Sequence, residues 1–247
     1  QSVRIVGNVQ RPGDYQWRRG LRITDLLRTS RDLKENSDLK YVLIRREVVP
    51  NAELAVVSVD LQAAWRAPNS DANLPLQPRD TVYVFDLEVG REHIVAPLID
   101  ELRLRSSRTS PLAVASVGGQ VNAGGEYPLE STMRVADLVR AGGGLDESAY
   151  LQEAELTRYE LVNGEARETE LIQIDLEAAL AGDPAHNLPL RSFDYLNIKE
   201  IPRWRDQEFV EILGEVAFPG RYPIKQGETL RHVLERAGGL SEMAFPD

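Results

Sequence analysis

The sequence contains no cysteine among its 247 residues, and only three histidines and two methionines. The absence of cysteine excludes disulfides, thiolate metal sites, iron–sulfur clusters and cysteine nucleophiles within this chain. No hydrophobic run is long enough to cross a membrane as a helix. An excess of positive charge is also missing, because 29 Lys and Arg stand against 39 Asp and Glu, a net charge of -10. Electrostatic binding to nucleic acid or to an anionic membrane is therefore disfavoured.

Signals of catalysis are equally sparse. His93, His186 and His232 are not spaced as metal ligands, and none lies beside a nucleophile motif. Acidic pairs such as Asp146-Glu147 are typical of a solvated surface in an acidic protein. The sequence therefore predicts no catalytic residue, no metal and no cofactor, and we expect the protein not to be an enzyme. The alternative is an enzyme that acts on glycans, and such an enzyme would require two carboxylates that converge in the fold.

The composition is that of a folded globular protein, with 42% hydrophobic and 28% charged residues. Its main feature is an internal repeat of the form G-x-V-x-x-[PG]-G-x-Y, which occurs at 7–15, 119–127 and 214–222. Each copy continues with an aliphatic residue eight positions after the Tyr and a Leu ten positions further on. A repeat of this kind indicates one structural unit used several times.

Each copy predicts a small α+β unit. Alternating apolar residues before the Pro-Gly or Gly-Gly turn indicate a β-hairpin, and the apolar i, i+3, i+4 spacing that follows indicates a short helix. Glycines that end this helix in copies two and three, at 142–144 and 238–239, are typical of a C-cap. Copy one has Ser30-Arg31-Asp32 there, so we expect a different cap. Asp60 and Asp175 are predicted to N-cap a later helical turn, and Asn163-Gly164 predicts a second hairpin.

The repeats divide the chain into four segments. Repeat 1 is predicted over 1–87, a helical connector over 88–111, repeat 2 over 112–202, and the start of repeat 3 over 203–247. In the connector, Pro97 suits the first turn of a helix, with an apolar stripe and a basic end at Arg103, Arg105 and Arg108. Repeat 3 stops after Leu240 without its second half, so we expect this chain to be cut from a longer protein.

These repeats resemble the SLBB domain, a soluble ligand-binding β-grasp module. The likeness in copy two includes Gly119, Val121, Gly125, Tyr127 and the strand residue Arg158, and copy three matches through Ala237-Gly238-Gly239-Leu240. Tandem copies with such linkers are similar to Wza-like outer-membrane polysaccharide export proteins. The resemblance implies an α+β fold of tandem β-grasp modules, two complete and one partial.

Several residues are candidates for function or for the fold. The same position holds Tyr15, Tyr127 and Tyr222 in the three copies. Arg45 and Arg158 are predicted to recur on the strand after the helix. A Tyr ring can stack on a sugar and an Arg can bind a carboxylate or phosphate, but recurrence in every copy favours a role in the fold. Trp17, Trp65 and Trp204 do not recur, which favours an interface. The predicted turn and cap residues are Gly7, Gly13, Gly119, Gly125, Gly143, Gly144, Gly214, Gly220, Gly238 and Gly239.

The resemblance implies a periplasmic location at the outer membrane and a role in capsule or exopolysaccharide export. The implied partners are further copies of the chain in a ring, the polysaccharide and an inner-membrane polysaccharide co-polymerase. The alternative from the same family is a module that binds another small molecule and is unrelated to export. The repeat indicates the class of fold, while the biological role follows from the resemblance alone.

Overall fold

A computed structural model describes residues 1–48, 53–107, 111–162, 166–202, 208–225 and 227–241, with the backbone alone described at 160–162 and 166–168. The chain forms two compact units, Gln1–Ile201 and Pro202–Asp247. The first unit contains two modules, each built on a five-stranded sheet, with a helical connector between them in the chain. Asn163-Gly164, Arg108 and Trp204 lie outside the described residues. Every helix in the described part of the chain is too short or too polar for a transmembrane span.

Module 1 has strands β1 to β5 and helices α1 and α2. Their bounds are β1 Ser2–Gly7, β2 Gly13–Gln16, α1 Ile23–Leu26, β3 Ser37–Val48, β4 Glu53–Val59, α2 Leu61–Arg66 and β5 Thr81–Asp86. The sheet order is β2-β1-β5-β3-β4, in which β1 and β5 run parallel and the other pairs antiparallel. Val3 and Ile5 point into the core because alternate residues of a strand face one side of the sheet.

Module 2 repeats this arrangement. Its elements are β6 Val114–Gly119, β7 Gly125–Pro128, α4 Val135–Ala141, β8 Ala149–Val162, β9 Ala166–Ile174, α5 Leu176–Leu180 and β10 Tyr195–Glu200. The order β7-β6-β10-β8-β9 matches that of module 1 strand for strand, with β6 and β10 parallel. The predicted α+β class and the tandem modules are therefore confirmed. The predicted N-caps are confirmed too, since Asp60 accepts from the Ala63 amide and Asp175 from the Ala178 amide.

The helix ends differ between modules as expected. In module 2 the amides of Gly143 and Gly144 donate to the carbonyls of Arg140 and Val139, which is the Schellman pattern, with φ of 83° and 89° at the two glycines. Module 1 has a four-residue α1 instead, followed by a 3₁₀ turn over Ser30–Asp32. All ten glycines predicted at turns and caps adopt positive φ.

The connector helix α3 spans Glu92–Arg105, so the prediction that Pro97 lies in its first turn is wrong. Pro97 lies inside the helix, because the apolar stripe extends back to the buried Val95 and the helix starts directly after the buried Arg91. The cost is the loss of one backbone hydrogen bond.

The second unit contains a hairpin and one helix among its described residues. These are β11 Phe209–Ile212, β12 Gly220–Pro223 and α6 Leu230–Arg236. They correspond to the first half of a module, and the pairing of Val216 with Leu240 has counterparts in Val9 with Leu33 and Val121 with Leu145. Leu230 is 66% exposed, whereas its counterparts Ile23 and Val135 are fully buried.

Candidate ligand-binding site

The recurring tyrosines close the hairpin in every copy. The hydroxyl of Tyr15 donates to the carbonyl of Arg11 at 2.6 Å, that of Tyr127 to Ala123 at 2.7 Å, and that of Tyr222 to Phe218 at 2.5 Å. Tyr127 is almost completely buried, and burial raises its pKa to about 12. Tyr15 is only half-buried, so part of its ring faces solvent. The shared hydrogen bond explains the recurrence, and exposure makes Tyr15 the better candidate for ligand contact.

The predicted equivalence of Arg45 and Arg158 is wrong by one residue, because Arg46 is the counterpart of Arg158. Arg158 binds Asp194 through Nε and Nη2 at 3.1 and 2.7 Å, and Arg46 binds Asp80 at 3.0 and 2.7 Å. Nη2 of each arginine also donates, at 3.0 Å, to the carbonyl of the proline in the Asn-Leu-Pro-Leu segment, Pro189 or Pro75.

Both arginines are therefore engaged inside their modules. The aspartates are fully buried, so these bidentate pairs fix the Asn-Leu-Pro-Leu segment against the sheet. The repeat alignment could not separate the adjacent Arg45 and Arg46, since both lie on β3 and only the strand register distinguishes them.

Arg45 connects module 1 to the connector helix. Its guanidinium donates to Glu101 at 2.6 and 3.0 Å and to Glu47 at 2.9 Å. Arg45 lowers the pKa of the Glu101 carboxyl through this hydrogen bond. The side chain is already paired with carboxylates, which leaves it poorly suited to bind a carboxylate from a ligand.

A buried ion pair lies where the two modules meet. Arg91, just before α3, pairs with Asp38 of module 1 and also donates to the Ala141 carbonyl of module 2 at 2.5 Å. Its guanidinium lies 5.3 Å from the ring centre of Tyr41 and 5.1 Å from that of Phe85. One arginine thus joins both modules by charge, hydrogen bonding and cation–π contact.

A second polar group lies at the edge of this junction. Glu130 of module 2 accepts from the Ser58 amide of module 1 at 2.7 Å, and Arg140 donates to the Ser58 hydroxyl at 3.0 Å. The other Glu130 oxygen and the Tyr41 hydroxyl are buried without a hydrogen-bond partner among the described residues. Burial raises the pKa of Glu130, and burial together with Glu130 raises that of Tyr41.

The two described tryptophans belong to the core of module 1. The indole of Trp17 donates to the Leu76 carbonyl and that of Trp65 to the Leu27 carbonyl, both at 2.8 Å. Each ring packs partly buried against the apolar core of that module. The structure therefore places Trp17 and Trp65 in internal packing, and Trp204 lies outside the described residues.

A cleft of about 690 Å³ lies between the modules and is mainly apolar. We call it the junction cleft; it is lined by Asp38, Leu39 and Leu87 of module 1 and by Val139, Leu145 and Leu180 of module 2. Leu87 and Leu180 are 61% and 43% exposed. The cleft exists only because the modules pack together, so neither repeat predicts it alone.

Module 1 contains a polar pocket of about 610 Å³ at the turn end of its hairpin. We call it the basic pocket; around Tyr15 it holds Arg11, Arg28 and Arg31, with Asp25 and Asp32. Sequence reasoning missed these arginines. The signal was the missing glycine cap of copy one, because Arg31 occupies the position of Gly143 and Gly238.

No group of three or more His, Asp or Glu side chains is placed to hold a metal ion in the described ranges. His186 accepts from the Asp175 amide at 3.1 Å, and His93 Nδ1 lies 2.6 Å from the Gly90 carbonyl. These contacts tie both rings to nearby backbone.

The fold and these contacts define tandem α+β modules, each with a buried Arg–Asp pair, and with ligand-sized clefts. Comparison with protein families matches residues 1–84 to the SLBB domain, and residues 114–168 and 209–245 to the SLBB domain again. The chain thus belongs to the SLBB-domain proteins. SLBB domains bind ligands, so ligand binding is the general function assigned to this chain. No curated protein matches it.

Proposed function

We propose that this chain is the periplasmic part of a polysaccharide export protein associated with the outer membrane. In this role the SLBB modules assemble subunits into a ring and contact the passing glycan, without catalysis. An inner-membrane polysaccharide co-polymerase is the expected partner. The tandem arrangement resembles that of Wza-like export proteins, which supports the proposal.

The observation that carries the proposal is the shared core of the two complete modules. Tyr41, Leu43, Val56 and Phe85 of module 1 belong to the same buried cluster as the core of module 2. The buried Arg91–Asp38 pair lies at this junction, so the two modules are joined by both apolar packing and charge. A pair of modules joined through a common core suits a scaffold that holds its place while a polymer passes.

Export is tested in the native cell. Deleting the gene is expected to reduce surface polysaccharide and to increase polysaccharide retained inside the envelope, as measured by uronic-acid and total-sugar assays on separated fractions. Re-expression of the native chain is expected to restore export. Re-expression of Arg91→Met, which disrupts the junction, tests whether export depends on the joined modules. Unchanged surface polysaccharide in the deletion strain rejects the role in export.

The junction cleft supports a second candidate, a binding module for an apolar small molecule unrelated to export. Its apolar lining and volume fit a ligand of drug-like size. Leu180→Glu places a charge in the cleft and is expected to abolish such binding. Screening a small-molecule library by thermal shift on the native chain and on this variant separates the two candidates.

A further inference from the structure

We propose that the basic pocket of module 1 binds carboxylated sugar residues, with Arg11 and Arg31 as the carboxylate ligands and Tyr15 as the stacking surface. This inference rests on the proposed function and names the class of glycan. It is derived from a difference between modules that share one fold.

The guanidinium groups of Arg11 and Arg31 make no ion pair and no hydrogen bond with any part of the chain that the structure describes. Arg28 uses its Nε on the Asp25 carbonyl at 3.1 Å. In a protein of net charge -10, two unengaged arginines lining one pocket form a local site of positive charge.

The two carboxylates of the pocket are used by the backbone. Asp32 accepts from the amides of Arg28 and Thr29 at 2.8 and 3.1 Å, and Asp25 accepts from the Arg22 amide at 2.9 Å. Neither carboxylate pairs with Arg11 or Arg31 in the described structure. The arginines therefore keep their donors for an external anion.

Comparison of the modules separates this pocket from the shared fold. The positions of Arg11 and Arg31 hold Ala123 and Gly143 in module 2, and Phe218 and Gly238 in the third copy. Tyr15 recurs, but arginines occupy these two aligned positions only in module 1. Because the other copies adopt the same fold without arginines at these positions, Arg11 and Arg31 are not required for folding of the module.

The same comparison argues against a second module as the occupant. In module 2 this face packs on module 1, and a Cβ added at Gly143 meets Arg91 Nη2 at 3.3 Å. Arg31 puts a long charged side chain at the equivalent place, where it obstructs packing of that kind. A small anionic ligand therefore fits the pocket better than another module.

Carboxylated sugars match the chemistry of the pocket. The guanidinium fork binds carboxylate in a bidentate manner. The Tyr15 ring is held in place by its own hydrogen bond to the Arg11 carbonyl, so its exposed face is preorganised to lie against a pyranose ring. A pocket of about 610 Å³ has room for one or two sugar residues.

The test is titration of the intact chain with tetragalacturonate, followed by calorimetry and amide chemical shifts, with maltotetraose as the neutral analogue. We expect saturable binding of the acidic oligosaccharide with shifts around Tyr15 and Arg31, and no saturation with maltotetraose. Arg11→Gln combined with Arg31→Gln is expected to weaken binding by about tenfold or more.

The matched control is Arg18→Gln combined with Arg19→Gln, which removes the same charge from exposed positions beyond the other end of β2. We expect this control to change affinity by less than about twofold, because exposed distant charges are screened by salt. Equal loss in both double variants, or no saturation by tetragalacturonate at millimolar concentration, overturns the proposal.

Sedimentation in the same samples tests a protein occupant. Self-association that the pocket variant alone abolishes identifies the pocket as a contact between copies and overturns the proposal. Saturable shifts located elsewhere overturn this site but leave the proposed function standing. Conversely, normal export in the deletion strain rejects the export role without affecting binding at the pocket.

Discussion

Glu130 is a carboxyl group at the junction whose pKa is raised by burial. One carboxylate oxygen accepts from Ser58, while the other is buried without a partner in the described structure. The hydrogen bond from Ser58 and the charge of Arg140 lower its pKa, whereas the charge of Asp137 raises it; Tyr41 lies near the same site. Burial is the largest influence and favours the neutral acid.

Because the pKa of Glu130 is raised on folding from an ordinary value of 4.5, protonation stabilises the folded state. This contribution is fully present below that value and is lost as the pH rises through the folded pKa. We expect Glu130→Gln to flatten the pH dependence of the free energy of unfolding over that window, measured by urea unfolding from pH 4 to 8. The exposed Glu177→Gln serves as the control, and an unchanged profile in Glu130→Gln contradicts the assignment.

At the scale of elements, the close approach of neighbouring strands decides which glycines are essential. A Cβ at Gly119 lies 2.0 Å from the Ile198 carbonyl oxygen on β10, and one at Gly7 lies 2.1 Å from that of Val84 on β5. Gly214, the counterpart in the second unit, has the same positive φ but open space around its Cβ among the described residues. Comparison of the three glycines thus separates the effect of the positive φ from the effect of crowding by a neighbouring strand.

Gly214→Ala is expected to cost about 1–2 kcal/mol, because only the left-handed conformation disfavours the side chain. Gly119→Ala adds a collision with backbone that cannot move aside, and we expect a cost of at least about 3 kcal/mol in the first unit. Residue-resolved amide signals followed through a urea titration measure each unit separately. Equal costs at the two glycines contradict the argument from crowding.

The elements were more predictable from sequence than their contacts. The repeat predicted the hairpins, helices and glycine caps because spacing of apolar and turn residues acts locally. The predicted start of α3 was wrong because the helix begins directly after Arg91, a charged residue buried in the junction, which the apolar pattern does not mark. Arg46 was missed in favour of Arg45 because register depends on pairing across strands. The junction depends on contacts between distant segments, such as Arg140 with Ser58, and no local pattern encodes them.

At the scale of the whole molecule, the Arg91–Asp38 pair is expected to make the first unit unfold as one body. Arg91→Met leaves the Asp38 carboxylate buried without its cation, at a cost of about 3–5 kcal/mol. We expect calorimetry to show one transition for modules 1 and 2 in the native chain and two in the variant. Adding Asp38→Asn to Arg91→Met removes the uncompensated charge and is expected to recover part of the loss. A single transition at an unchanged temperature in Arg91→Met contradicts this role.

The pairing of β11 has a consequence for how quickly proteases degrade the protein. In each complete module the first strand has a hydrogen-bonded neighbour on both sides, whereas β11 pairs only with β12 among the described strands. The second unit therefore has fewer interactions opposing local opening, and its amides should exchange with solvent before those of the first unit. A protease that acts on transiently opened chain should begin there and leave the two joined modules as the resistant fragment.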